Sequence, residues 1–196
     1  MEKNRLEAFS DGVIAVVITI MVLELKPPSH ADSVVDLTAL TPVFLSYVLS
    51  FIYVGIYWSN HHHMLQTTDT VTGGILWANL YLLFWLSLFP FTTAWVSENI
   101  GAPAPSAVYG FVLLMAAIAY LILQSAIIAH QGPNSLLAAA VGRDWKGKLS
   151  PLFYFVAIAL AFINPWIADG IYAFAALIWL IPDRRIERAF KSRNGE

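Results

Sequence analysis

The sequence predicts an all-α integral membrane protein with six transmembrane helices per subunit, and three observations carry that reading. Hydrophobic residues make up 58% of the chain and charged residues only 12%, against about a quarter charged in ordinary soluble domains. Apolar runs recur at roughly Phe9 to Leu25, Val43 to Trp58, Gly74 to Val96, Ala107 to Ala129, Pro151 to Ile163 and Trp166 to Ile181. The charges lie between these runs, as a bilayer requires, because a charge at mid-membrane costs several kcal/mol.

The first run follows a few charges, as a signal peptide would. It lacks a small-residue cleavage site and carries Asp11 and Glu24, so it is expected to be a retained first span. The third contains Pro90 in Leu88-Phe89-Pro90-Phe91-Thr92-Thr93. A proline there should kink the helix, with Thr92 and Thr93 placed to satisfy the freed backbone groups, and this reads as packing rather than as a gate. A span takes about 17 to 25 residues, so the last two runs are short. Leu149 to Ile181 is too long for one span and Asn164-Pro165 interrupts it, which predicts a tight helical hairpin.

Six spans put both termini on one side, and the basic residues say which. Ten of the 11 Lys and Arg residues fall in alternate segments: Lys3 and Arg5; Arg143, Lys146 and Lys148; Arg184, Arg185, Arg188, Lys191 and Arg193. Only Lys26 lies opposite. The positive-inside rule therefore predicts a multi-pass protein of the cell (inner or plasma) membrane with both termini cytoplasmic. Trp58, Trp77, Trp95, Trp145 and Trp166 near span ends fit an interfacial aromatic belt. Residues 1–196 read as a single domain ending in a short basic tail, since neither a linker nor an internal repeat is visible.

Composition also narrows the chemistry. The net charge of −2 gives no support for a nucleic-acid partner, and the absence of cysteine removes disulfides, thiolate catalysis and cysteine metal ligands. His61, His62 and His63 are adjacent, whereas metal pairs on helices favour i, i+3 or i, i+4 spacing. No metal site is predicted. Without a Gly-x-Ser-x-Gly elbow or a Gly-rich phosphate loop, no enzyme and no cofactor is expected.

Asp11 is the most informative residue, a carboxylate just inside an apolar helix. Intramembrane carboxylates default to function, yet one satisfied by neighbouring helices needs no further role, and both readings require a partner. Ser10, Asn60, His61 and Asn79 lie at matching depth and are expected to form one polar layer with it. On the same helix Gly12, Val16, Thr19 and Leu23 share a narrow stripe, about 100° from Asp11. That stripe suits a pore and equally suits helix packing.

Arg5, Phe9-Ser10-Asp11, the helix Gly12-Val13-Ile14-Ala15-Val16-Val17-Ile18-Thr19, Asn60-His61-His62, and Asn79 with Ser87-Leu88-Phe89-Pro90-Phe91 together resemble a bacterial member of the transmembrane protein 175 family of potassium channels. The resemblance implies a six-helix subunit, a homotetramer in the bilayer, and a central potassium-permeable pore lined by the first helices. It lacks the Thr-Val-Gly-Tyr-Gly filter of other potassium channels. By resemblance, Arg5, Ser10, Asp11, Asn60, His61 and Asn79 form the inter-helix polar network. Val16 falls at the hydrophobic constriction, where Ile or Leu is usual, and Thr19 at a polar ring. The smaller Val16 implies a wider ring. A tetramer also makes physical sense, because one subunit of short spans has little room for a water path. The alternative from a different class is a proton- or sodium-coupled secondary transporter, with Asp11 and His61 as relays.

Overall fold

The computed structural model describes residues 2–26, 36–68, 70–141 and 145–180. Those residues form helices and turns. Helix α1 spans Lys3–Leu23, and a short 3-10 turn at Asp36–Leu40 leads into α2, Thr41–Gln66. Then come α3 (Gly73–Ser87), α4 (Phe89–Glu98), α5 (Pro103–Gln131), the short α6 (Leu136–Val141), α7 (Trp145–Ala161) and α8 (Pro165–Leu180). Arg143 and the basic tail from Arg184 to Arg193 lie outside the described residues.

Four segments are long and apolar enough to cross a bilayer: α1, α2, the near-continuous α3–α4 stretch Gly73–Glu98, and α5. The last two apolar helices are shorter, as their sequence runs predict. Proline sets several of the starts. Pro42, Pro90 and Pro103 occupy the first turns of α2, α4 and α5, where the missing N–H would have no intrahelical partner. At α3 the Thr72 hydroxyl accepts the Ile75 N–H at 3.3 Å. Gly132, with φ +92°, closes α5, a conformation that favours glycine.

Pro90 divides the third span at Leu88. Thr92 donates to the carbonyls of Leu88 and Phe89, at 3.2 and 3.3 Å, within the first turn of α4, and not to the Leu86 carbonyl that Pro90 leaves without its i−4 donor. Thr93 does not reach that carbonyl either, contrary to the expectation above. Its hydroxyl donates to Ser50 at 2.7 Å, and Ser50 meets the Tyr109 hydroxyl at 3.0 Å. The Asn164-Pro165 break gives the predicted hairpin, with Asn164 Oδ1 accepting the Trp166 N–H at 3.1 Å. Helix α7 begins six residues before the apolar run that announces it, so Pro151 sits inside a helix and not at its start.

Helix α5 is the hub, packed against α3, α4, α7 and α8, while α1 lies on α2, α3 and α4. Tyr53, Tyr57, Phe89, Tyr109, Tyr154 and Tyr172 form an aromatic core with centroid separations of 5.7 to 6.5 Å. The Tyr53 hydroxyl donates to the Tyr172 carbonyl at 2.6 Å, and Tyr172 to the Ser106 carbonyl at 3.2 Å. These bonds pin α2 to the α5–α8 pair, as polar groups away from water require.

One glycine allows this closeness. A Cβ on Gly110 would overlap the Tyr172 hydroxyl and ring carbon. Gly110→Val should therefore destabilise the fold by about 1–3 kcal/mol or more, the usual penalty of overpacking. Thermal unfolding in detergent reads it, and an unchanged midpoint would show that Tyr172 can move aside.

Candidate functional site

Helix α1 has two unlike faces. Leu6, Ser10, Ile14, Val17 and Met21 are buried, and they recur at helical spacing on one side. Gly12, Val16, Thr19 and Leu23 are exposed on the other, about 150° away around the helix axis. Val16 is 55% and Leu23 73% exposed, and nothing lies within 4 Å of a Cβ placed on Gly12. In the single chain this stripe is left open on its outer side.

The buried face is fixed by a chain of hydrogen bonds. Ser10, fully buried, donates to the Leu6 carbonyl at 2.8 Å, and Asn79 Nδ2 donates to Ser10 Oγ at 3.0 Å. Asn79 Oδ1 meets His61 Nε2 at 2.7 Å. An amide oxygen only accepts, so His61 carries its proton on Nε2 in this arrangement. Each group is satisfied by the next, and α1, α2 and α3 are joined at one level. A further bond sets the register of α1 on α2: Lys3 Nζ donates to the Gln66 carbonyl at 3.2 Å.

This layer is narrower than the sequence reading draws it. Asp11 is exposed and stands outside the chain of bonds, where it accepts the Trp58 indole N–H at 3.0 Å. Trp58 in turn stacks on His62, with centroids 6.2 Å apart. Asn60 donates to the Ile56 carbonyl of its own helix at 2.9 Å and does not reach the layer. Arg5 is exposed at the end of α1, away from these bonds. Of the three histidines only His61 turns inward; His62 and His63 are half-buried.

Sequence reasoning missed Trp58 as the partner of Asp11, because a tryptophan near a span end reads first as a belt residue. The usable signal is register. Helices α1 and α2 run antiparallel with Lys3 beside Gln66, so eight residues further along α1 lies opposite eight residues back along α2.

The Thr19 hydroxyl donates to the Val16 carbonyl one turn back, at 2.8 Å. With its proton so engaged, the hydroxyl presents oxygen lone pairs outward. Thr19 is exposed, so the stripe offers aliphatic surface at Val16 and, one turn further, an oxygen suited to a cation.

The same helices carry the match to known proteins. The family model described as endosomal/lysosomal potassium channel TMEM175 matches residues 5–90. A protein of Chryseobacterium sp. (strain P1-3) named a potassium channel is 55% identical over 97% of this chain and 99% of its own length. The human endosomal/lysosomal proton channel TMEM175 is 27% identical over 82% of this chain and 34% of its own. A crystal structure of a lysosomal potassium-selective channel TMEM175 homolog from Chamaesiphon minutus superposes with a TM-score of 0.80 at 31% identity. It covers 91% of this chain and 96% of that one. Near-complete coverage by a relative of this identity, together with a family match that reaches all three polar-layer helices, leaves one conclusion: the chain belongs to the TMEM175 family.

Proposed function

We propose that the chain is a potassium-selective channel whose pore is enclosed by the first helices of a homotetramer. The carrying observation is the contrast between the faces of α1. One face is locked to α2 and α3 by the Ser10–Asn79–His61 bonds, and the other presents Gly12, Val16, Thr19 and Leu23 to open space. A helix held so firmly on one side positions its other side well, as a pore lining requires. The names of the bacterial relatives and of the superposed structure agree with potassium as the permeant ion.

Burial supports assembly. Only 22% of the spanning window of α2 is buried inside one chain, against 44% for α3–α4, although α2 is the least apolar of the four long spans. Lipid would cover a more apolar helix more willingly, so neighbouring subunits are the better cover for α2. Asp11, bonded to Trp58 and turned away from the stripe, serves that interface and not conduction.

In such a pore four Val16 side chains form an apolar constriction that excludes water, and four Thr19 oxygens return part of the hydration an ion loses there. Potassium gives up its water more readily than sodium. Planar-bilayer recording of the purified protein under bi-ionic potassium and sodium tests the reading. The expected result is a current without any coupling ion, reversing toward the potassium potential. A flux that stops when a proton or sodium gradient is removed would make the protein a carrier. Thr19→Val should lower the potassium-to-sodium permeability ratio while leaving assembly intact, and an unchanged ratio would take Thr19 out of the selectivity ring.

We place both termini in the cytoplasm of a cell whose inner or plasma membrane holds the protein, on the ten-to-one split of basic residues. With no native cysteine, a single cysteine at Arg188 gives a clean test. Resistance to impermeant thiol reagents in intact cells is expected; labelling from outside would invert the topology.

A further inference from the structure

The consecutive residues Gly12, Asp11, Ser10 and Phe9 mark the sides of α1 in steps of about 100°. Gly12 belongs to the pore stripe, Asp11 is tied to α2 through Trp58, and Ser10 is tied to α3 through Asn79. The fourth side, with Phe9 and Ile20, is open in the single chain. Two further open faces flank it. On α2, Phe44, Phe51 and Trp58 recur every seven residues, and on the α3–α4 stretch Trp77, Phe84 and Phe91 do the same. All six are 44–73% exposed. A seven-residue recurrence is the spacing at which one helix keeps facing another.

The α2 stripe lies about 60–120° round its helix from His61, and the α3–α4 ridge about 120–160° round from Asn79. Because His61 and Asn79 point at each other and α2 runs against α3, these offsets carry the two faces to opposite flanks of the chain. The ridge also avoids α5, which packs on the neighbouring Trp85 through Phe111. Depth matches as well. Gly55 stands six residues from His61 and Phe84 five from Asn79 in the same direction, about 9 and 7.5 Å from that bond along the helices. Rotation about a pore axis preserves depth, so one copy's Phe84 reaches the level of the next copy's Gly55, where nothing lies within 4 Å of an added Cβ. Lipid is the poorer cover here, because α2 is the least apolar and least buried of the long spans. We infer that the α2 stripe of one copy docks head to tail on the α3–α4 ridge of the next, with Phe84 seated over Gly55. Such a contact, in which two different surfaces meet, closes into a ring under rotation. It rests on the assembly proposed above and specifies the surfaces that close it.

Cross-linking tests the contact in a chain with no cysteine of its own. Gly55→Cys and Phe84→Cys chains with different tags are co-expressed and treated in membranes with a short bis-maleimide. A cross-linked dimer carrying both tags is expected, and none from either variant alone, since each face meets the other and not itself. Both cysteines in one chain should give a ladder ending at the tetramer. Gly55→Leu, which fills the seat, should lower the tetramer-to-monomer ratio roughly tenfold, as overpacking does, with the monomer still monodisperse. A tetramer without the mixed cross-link, cross-linking by either variant alone, or wild-type tetramer yield in Gly55→Leu would overturn the contact and leave the ring standing. A wild-type chain that is monomeric in membranes would overturn both.

Discussion

Asn79→Leu should abolish recovery of the folded assembly. The side chain is fully buried and holds both neighbours at once, donating to Ser10 and accepting from His61. Leucine keeps the branched outline of the side chain and removes both functions. The His61 N–H then has no acceptor and Ser10 Oγ loses its donor, in a setting where no water replaces them. Each orphaned group costs about 1–3 kcal/mol, so the two together cost roughly 2–6 kcal/mol. That is a large fraction of the stability of an ordinary protein. Size-exclusion chromatography in mild detergent should show aggregated or absent protein, with Ser10→Ala milder because the Ser10 hydroxyl spends its proton within its own helix. If Asn79→Leu runs as wild type, the layer does not hold α1 and its orientation needs another cause.

Val16→Phe should suppress the potassium current nearly completely in protein that assembles normally. Val16 is exposed in the single chain, on the face opposite Ile14, Val17 and Met21, so a larger ring there extends away from the packed face of its own subunit. In a tetramer four such rings converge on the axis. A narrow apolar constriction already excludes water, and filling it leaves no path for a hydrated cation. Single-channel recording of the tetramer fraction reads the effect. Wild-type conductance with normal tetramer yield would move the pore to another helix.

Much of this was legible from residue order because a bilayer imposes simple rules. Apolar length and proline position located the spans, the break in the third span and the hairpin at Asn164-Pro165. Depth was legible too, so that Ser10, His61 and Asn79 were placed at one level and proved to be bonded. Azimuth was not, because it depends on how helices rotate against each other. Asn60 and His61 are neighbours in sequence about 100° apart on α2, and only His61 faces Asn79. Asp11 likewise follows Ser10 by one residue and turns to Trp58. The tyrosine core and the short α6 gave no hydropathy signal: tyrosines in a span look alike whether or not their hydroxyls find partners.

In the channel we propose, α1 lines the pore with the face away from its polar layer. Single cysteines introduced at Gly12, Val16, Thr19 and Leu23, and at Ile14, Val17 and Met21, test it directly in a chain that has no cysteine of its own. Silver ion, which enters potassium pathways and reacts with thiols, is applied during recording. Rapid irreversible block is expected at the first set and none at the second. Block at Ile14, Val17 and Met21 with the stripe silent, or no block at any α1 position, would contradict it.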